Sequence, residues 1–309
     1  TSGSALLNYY PAFAEAFYSQ IPLIVISADR PQSKIDIGDG QTIRQENVFK
    51  NHSLYNANLT EEASVENDFK INKAIHKAFI KKGPVHINAP FEEPLYETVS
   101  KLDVQVAITA LNNSDHKISV DEINEFSSIW NTSTKKLILV GESKPNEIDP
   151  KIIEYFAKDD SVVIMTETTS NLHHPSFLNN IDTIITPFQK EEFKALQPDI
   201  LITFGGMVVS KRIKAFLRQY KPKHHWHIDT LRGYDTYDSL TKHFKINPNQ
   251  FFNQFLLKIS PVRSDYYATF DKISAFRELK HQEYLAKIPF SDFKVFEKIM
   301  PSLTENSML

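Results

Sequence analysis

Residues 21–31 read IPLIVISADRP, and this stretch decides the fold class. A continuous apolar run rich in β-branched side chains is typical of a strand covered on both faces of a parallel sheet. A similar run, VHINAP, returns at 85–90, after a segment with helical periodicity at 60–82. Strand, helix and strand in this order predict an α/β fold with a parallel sheet.

The flanking segments carry helix signals. Residues 4–19 predict a helix kinked at Pro11, because proline lacks the backbone N–H that a helix interior needs. Residues 60–82 predict a helix with Thr60 as its N-cap, and the breakers Gly83 and Pro84 mark its end.

The alternation of apolar runs and helical segments restarts after a polar, aperiodic stretch. We interpret 101–117 as a linker between a domain at 1–100 and a second domain at 118–262, and 263–309 as a helical extension. Helices are predicted at 149–157 and 211–219. Strands are predicted at 136–141, 161–166, 182–186, 199–206 and 224–229. The predicted fold class is α/β, with two doubly wound parallel-sheet domains.

Composition limits the classes of partner. The chain has 309 residues, a net charge of −3 and no cysteine, so it offers neither a basic field for nucleic acid nor thiolate metal sites. The sequence contains no run of about 18 apolar residues, so it predicts no membrane span. The absence of cysteine suits a reducing cytoplasm. We therefore expect a cytoplasmic protein with small-molecule ligands.

Arg30 is the first candidate binding residue, because it follows the strand at 21–28. Ligands of parallel sheets collect beyond the carboxyl ends of strands, and arginine binds carboxylates and phosphates through a fork of N–H donors. Gln41, Arg44 and Gln45 add donors in the same loop. A surface pairing of Arg30 with Asp29 in a solvated loop is an equally good interpretation.

Gly38-Asp39-Gly40, with Asn67 about thirty residues later, imitates the metal–diphosphate motif of thiamine diphosphate enzymes. That motif needs its acidic residue at a strand end, whereas this triplet lies in a loop. We interpret it as a glycine turn.

Two further motifs are compatible with ligand binding, but a purely structural role is favoured for each. Gly205-Gly206 followed by Lys211-Arg212 could bind an anion at a helix N-terminus, yet a tight strand–helix turn with a solvated basic pair is favoured. The histidine-rich stretches could suggest zinc, but polar strand ends are favoured over a metal site. These histidines are His224, His225 and His227, and the pair His173-His174.

Four blocks resemble a known family in order and spacing: TSGSALLNYYPAFAEA (1–16), ISADRP (26–31), GQTIRQ (40–45) and HINAPFEEPLY (86–96). They are similar to the thiamine diphosphate-dependent 2-succinyl-5-enolpyruvyl-6-hydroxy-3-cyclohexene-1-carboxylate synthases of menaquinone biosynthesis. The resemblance implies a partial pyrimidine-binding domain at 1–100 and a Rossmann-like central domain at 118–262. It also implies that 263–309 leads toward a diphosphate-binding domain.

The resemblance implies a transferase that uses thiamine diphosphate and Mg²⁺ (or Mn²⁺) in a homo-oligomer. It would decarboxylate 2-oxoglutarate and add the resulting four-carbon carbanion to isochorismate. Arg30, Gln41, Lys211 and Arg212 match residues that bind the substrates. Thr1, Ser2 and Gly3 match the loop beside the aminopyrimidine ring of the cofactor.

The family's activating glutamate would lie upstream of Thr1, and its metal motif would lie beyond Leu309. We therefore expect a fragment with no catalytic residue or metal ligand of its own, which alone neither binds the cofactor nor turns over. Two alternatives stay open. One is a non-catalytic α/β binding or regulatory module, and the other is a thiamine diphosphate-dependent decarboxylase with a different donor.

Overall fold

A computed structural model describes residues 1–92 and 117–304, with positions 96, 98, 100, 101, 105, 107, 108, 110 and 307. The chain divides into two compact units, Thr1–Asp115 and His116–Leu309. The finer division into a linker at 101–117 and an extension at 263–309 stays a prediction.

The first unit contains a three-stranded parallel sheet in the order β1-β3-β2. Its strands are β1 (Leu23–Asp29), β2 (Asn56–Asn58) and β3 (Pro84–Pro90). The register places Ser27 beside Asn88 and Asp29 beside Pro90. The carboxyl ends of β1 and β3 therefore lie side by side.

Two helices accompany this sheet. A 3₁₀ segment, Gly3–Tyr9, leads into α1 (Tyr10–Tyr18), and Pro11 lies in the first turn of α1. The predicted kinked helix is wrong, because a proline in the first turn removes no intrahelical hydrogen bond.

The second helix, α2 (Val65–Ile80), begins later than predicted. Ser64 is its N-cap and accepts a hydrogen bond from the Asn67 backbone N–H, so the prediction of Thr60 as the cap is wrong. The backbone N–H of Thr60 instead donates to the Asn67 side chain, 3.0 Å away.

Both faces of the first sheet are covered. Phe13 of α1 stacks on Phe49, with ring centroids 4.3 Å apart, over one face. Ala74 and Ala78 of α2 are fully buried in a cluster with strand residues on the other face. Small side chains at these positions let α2 approach the strands closely.

The second unit contains a five-stranded parallel sheet in the order β5-β4-β6-β7-β8. Its strands are β4 (Lys136–Val140), β5 (Val162–Met165), β6 (Ile200–Phe204), β7 (His224–Ile228) and β8 (Lys242–Phe244). Large buried clusters lie on both faces, one around Trp130 and Trp226, the other around Leu137 and Leu201. The predicted α/β class with two parallel sheets is confirmed.

Helices connect and flank these strands. They are α3 (Val120–Thr132), α4 (Pro150–Phe156), α5 (Ile181–Ile185), α6 (Lys190–Leu196), α7 (Lys211–Gln219), α8 (Pro248–Phe255), α9 (Tyr266–Lys287) and α10 (Asp292–Ile299). In the described part of the chain, no helix combines the length and the apolar character needed to cross a membrane.

The strand predicted at 182–186 is wrong, since these residues lie in α5 and just after it. Ile181, Ile184 and Ile185 are all buried, and their spacing of three and four residues places them on one face of a helix. Three isoleucines within five residues carry too little periodicity to distinguish this helix from a buried strand.

Candidate functional site

The carboxyl edge of the first sheet brings together the beginning of the chain and the loop after β1. The backbone N–H of Ala28, near the end of β1, donates to the Thr1 carbonyl at 3.0 Å. The backbone N–H of Gly3 donates to Oε1 of Gln45 at 2.5 Å. Thr1–Gly3 and the 40–45 block are therefore held against the same strand end.

Gly3 and Gln41 are packed backbone to backbone. Gly3 has φ +60°, and a Cβ at this position would lie 2.5 Å from the Gln41 carbonyl oxygen. Gln41 also has a positive φ of 60°, which is rare for a residue with a side chain. Such strain is common at ligand sites, where the surrounding structure enforces it.

Arg30 is half-buried at the same edge, immediately after β1. Its backbone N–H donates to Oδ1 of Asp29 at 2.8 Å, and Oδ2 of Asp29 accepts from the Asn88 side chain at 2.7 Å. Arg44, in contrast, is exposed and paired with Asp36 at 2.8 Å. The structure thus groups Arg30, but not the Arg44 side chain, with the residues around Thr1–Gly3.

A buried polar network lies under this edge. Gln45, Asn88, Ser27 and His86 are joined by side-chain hydrogen bonds of 2.7–3.0 Å. Burial lowers the pKa of His86 to about 4, so its ring is neutral near pH 7. Sequence reasoning named Gln45 but assigned no role to His86 or Asn88. Polar residues that alternate with apolar ones in the strand were the available signal.

The Gly38-Asp39-Gly40 triplet lies in a turn, where Gly38 has φ +86° and Asp39 is exposed. The Asn67 side chain bonds the backbone of Thr60 and Glu62. Among the described residues, no three His, Cys, Asp or Glu side chains are grouped so as to hold a metal ion.

In the second unit, the glycines after β4 and β6 cross closely. A Cβ at Gly141 would lie 2.1 Å from the Gly206 carbonyl oxygen, and the Gly206 N–H donates to the Glu142 carbonyl at 2.7 Å. The backbone N–H groups of Val209 and Ser210 donate to the Glu167 carboxylate. The N–H groups of Gly206, Val209 and Ser210 are therefore already bonded within the protein.

Lys211 and Arg212 occupy the first turn of α7, and both are exposed. Ser210 caps this helix, accepting from the Ile213 N–H, and its hydroxyl donates to Asp182. Neither cation makes an ion pair with a residue that the structure describes. These two residues belong to the second unit, whereas Arg30 belongs to the first.

Two histidines of β7 form side-chain hydrogen bonds to the neighbouring strand β6. His225 and His227 share one strand face, and both bond the Thr203 hydroxyl of β6, at 2.9 and 2.8 Å. Burial lowers the pKa of His225 to about 4. His174 bonds Ser176 at 2.7 Å, beside a cavity that follows β5.

Comparison with known proteins gives the family. Residues 113–309 match the family described as the middle domain of thiamine pyrophosphate enzymes. The chain belongs to the thiamine pyrophosphate enzyme family.

Relatives of this thiamine pyrophosphate family protein match its whole length. It is 66% identical to the 2-succinyl-5-enolpyruvyl-6-hydroxy-3-cyclohexene-1-carboxylate synthase of Flavobacterium johnsoniae, over 100% of this chain and 56% of the relative. It is 62% identical to the synthase of the same name from Flavobacterium psychrophilum, over 100% of this chain and 56% of that relative. The chain thus spans little more than half the length of these curated relatives.

Proposed function

We propose that this chain is part of a 2-succinyl-5-enolpyruvyl-6-hydroxy-3-cyclohexene-1-carboxylate synthase. The reaction would release CO₂ from 2-oxoglutarate and join the remaining four-carbon unit to isochorismate. The observation that carries the proposal is the 66% identity to a synthase of this name over every residue of the chain. The grouping of Thr1–Gly3, Arg30 and Gln41 at one sheet edge supports it.

We assign Arg30, Lys211 and Arg212 to substrate binding because of their positive charge. Isochorismate and 2-oxoglutarate each carry two carboxylates, and guanidinium and ammonium groups are the side chains that bind carboxylates most strongly. The backbone of Arg30 is fixed through Asp29, so its position is preorganised. Lys211 and Arg212 add two exposed positive charges at a helix N-terminus, where the dipole also favours an anion.

Thr1, Ser2 and Gly3 fit a role beside the cofactor's aminopyrimidine ring. Thr1 and Ser2 are exposed, whereas Gly3 is buried and must stay without a side chain because of Gln41. The loop therefore presents a fixed, narrow backbone surface to a flat ring. Thiamine diphosphate, when bound, supplies the carbanion chemistry that the side chains cannot.

No magnesium ligand is assigned to this chain. The described residues hold no suitable group of carboxylates and histidines, and the amide of Asn67 is bonded locally. Within the proposed reaction, the residues of this chain bind and orient the two anionic substrates.

The test compares this chain with the complete product of its reading frame. Each protein is given thiamine diphosphate, Mg²⁺ and 2-oxoglutarate, with and without isochorismate, while CO₂ and the adduct are measured. We expect the complete product to release CO₂ and to form the adduct only when isochorismate is present. We expect no turnover by the 309-residue chain.

Two outcomes would support the alternatives. Release of CO₂ from pyruvate in preference to 2-oxoglutarate would identify a thiamine diphosphate-dependent decarboxylase with another donor. Absence of any reaction in the complete product, with cofactor binding lost as well, would favour a non-catalytic binding module.

A further inference from the structure

We infer that Gln45 and Asn88 are positioning residues that hold the Thr1–Gly3 loop and Arg30 in one fixed arrangement. The reaction that this arrangement serves rests on the proposed function. The family resemblance assigns neither residue to the substrates or to the cofactor. Both act through the backbone and side-chain atoms that they bond.

Gln45 fixes the loop at the beginning of the chain. Its side chain is 2% exposed. Oε1 accepts from the Gly3 N–H at 2.5 Å, while Nε2 donates to the Ala28 carbonyl at 2.8 Å and to Oδ1 of Asn88 at 3.0 Å. Since the Ala28 N–H bonds the Thr1 carbonyl, both ends of Thr1–Gly3 are tied to β1.

Asn88 extends the same connection to Arg30. Its Oδ1 accepts from Gln45 and from the Ser27 hydroxyl at 2.7 Å, and its Nδ2 donates to Oδ2 of Asp29 at 2.7 Å. The other carboxylate oxygen of Asp29 accepts from the Arg30 backbone N–H. One buried pair of amides therefore sets Gly3 and Arg30 relative to each other.

The hydrogen-bond directions in this network are determined. Because Oδ1 of Asn88 can only accept, the Ser27 hydroxyl must donate to it and must accept from Nε2–H of His86, 2.7 Å away. His86, Ser27 and Asn88 thus form a chain of donors that ends on the Asp29 carboxylate. Hydrogen bonds aligned in this way polarise and strengthen one another.

Because each hydrogen bond has a fixed direction, substitutions of similar shape can test the role of the individual donors. Glu in place of Gln45 would direct an oxygen without a hydrogen at the Ala28 carbonyl and at Oδ1 of Asn88. Asp in place of Asn88 would face the Asp29 carboxylate. Both substitutions preserve shape and remove donors, so they separate hydrogen bonding from packing.

The experiment uses the complete product of the reading frame with Gln45→Glu, Gln45→Met or Asn88→Asp. Steady-state kinetics give kcat and KM for both substrates, and hydrogen exchange is measured by mass spectrometry in peptides containing Gly3 and Arg30. We expect faster exchange in both peptides and a kcat/KM lowered by about tenfold to a hundredfold, as for a misplacement near 1 Å. Gln45→Met removes the hydrogen bonds without burying a charge, so it covers the case in which the carboxylate variants do not fold.

Ile87→Ala is the matched control. Ile87 is buried on β3 next to Asn88, and its side chain points to the opposite sheet face. Its loss lowers stability without touching the network, so kcat/KM should stay at the wild-type value. An equal loss of kcat/KM in Ile87→Ala would overturn the inference, because general destabilisation would then explain the effect.

The two proposals fail in different ways. If the wild-type complete product forms no adduct, the proposed function fails, and exchange in the Gly3 and Arg30 peptides still tests the positioning. Unchanged exchange in Gln45→Met would overturn the positioning whatever the activity. Faster exchange with unchanged kinetics in an active enzyme would overturn its role in the reaction.

Discussion

Lys211 and Arg212 lie in the first turn of α7, where the positive end of the helix dipole disfavours cations by a few tenths of a kcal/mol. Helix α3, by contrast, has Asp121 and Glu122 in its first turn. A basic pair without an ion-pair partner in the described part of the chain opposes local stability. Such a placement is typical of binding residues.

Lys211→Ala in the complete product should raise KM for the substrates, by about tenfold if the lysine binds one carboxylate. Removing a cation from a helix N-terminus should leave stability unchanged or slightly increased. Steady-state kinetics and thermal unfolding check both expectations. Lys158→Ala is the control, because Lys158 is an exposed lysine two residues after the end of α4. An equal effect on KM in this variant would remove Lys211 from the site.

Arg30→Ala should lower kcat/KM for isochorismate by about tenfold to a hundredfold, which corresponds to one charged hydrogen bond of about 1.5–3 kcal/mol. Arg30→Lys should restore only part of this loss, since lysine lacks the planar fork of donors. Kinetics with each substrate varied in turn measure both variants. Wild-type constants in Arg30→Ala would support the solvated-loop interpretation.

At the scale of elements, the close packing of the turns after β4 and β6 constrains the backbone that leads from β6 into α7. Gly205 has φ +82°, and a Cβ there would lie 2.9 Å from the Glu142 carbonyl oxygen. Only glycine satisfies both conditions without a shift of the backbone. The position of Lys211 and Arg212 therefore depends on two loops that cross.

Gly205→Ala should lower the free energy of unfolding by about 1–3 kcal/mol, because it combines an unfavourable φ with a close contact. Gly40→Ala is the matched control, since a Cβ at Gly40 meets no atom within 4 Å and its φ is not positive. Denaturant unfolding of both variants measures the difference. Equal midpoints would show that the β6 turn adapts to a side chain.

Lys136 and Asp159 connect the amino ends of β4 and β5. Both side chains are fully buried, with Nζ 3.7 Å from Oδ2 of Asp159 and 2.7 Å from the Ser161 hydroxyl. Burial is the main reason that the pKa of Lys136 falls to about 8. The Trp130 ring, 4.7 Å from Nζ, adds a cation–π contact.

Lys136→Met should lower the stability of the second unit by about 3–5 kcal/mol, because the Asp159 carboxylate would be left buried without its cation. The double variant Lys136→Met/Asp159→Asn should recover part of this loss. Urea unfolding of the two variants and the wild type gives the comparison. A single variant as stable as the wild type would mean that water reaches Asp159.

At the scale of the whole molecule, each unit buries a neutral histidine: His86 in the first and His225 in the second. Both have a pKa of about 4 in the folded protein, against an ordinary value of 6.5, because burial disfavours the charged ring. The unfolded chain therefore takes up protons first as the pH falls. Stability is complete above pH 6.5 and is lost as the pH falls toward 4.

This loss should amount to about 3 kcal/mol for each histidine. Denaturant unfolding at pH 7.0, 5.5 and 4.5 measures it, and His225→Gln should flatten the pH dependence of the second unit. His224→Gln, on the opposite face of β7, serves as the control. A slope that persists unchanged in His225→Gln would assign the pH dependence to other groups.

The amino-acid sequence was enough to predict the fold class and most strands, because apolar runs such as 21–28 and 136–141 carry the signal for buried parallel strands locally. It did not determine the polar strands β2 and β8, whose pairing comes from their neighbours in the sheet, or α5, whose five-residue core carries too few turns to show its period. The four resembling blocks identified Arg30, Gln41 and Thr1–Gly3 as candidates. Their relation to one another was decided only by the tertiary structure.

The contacts that fix this relation join residues 42, 43 and 59 positions apart, between Gly3 and Gln45, Gln45 and Asn88, and Asp29 and Asn88. No local pattern encodes which buried amide meets which backbone group, since that depends on the register of β1 against β3. Local propensity therefore determined the elements, and the pairing of distant strands determined which polar groups share one edge.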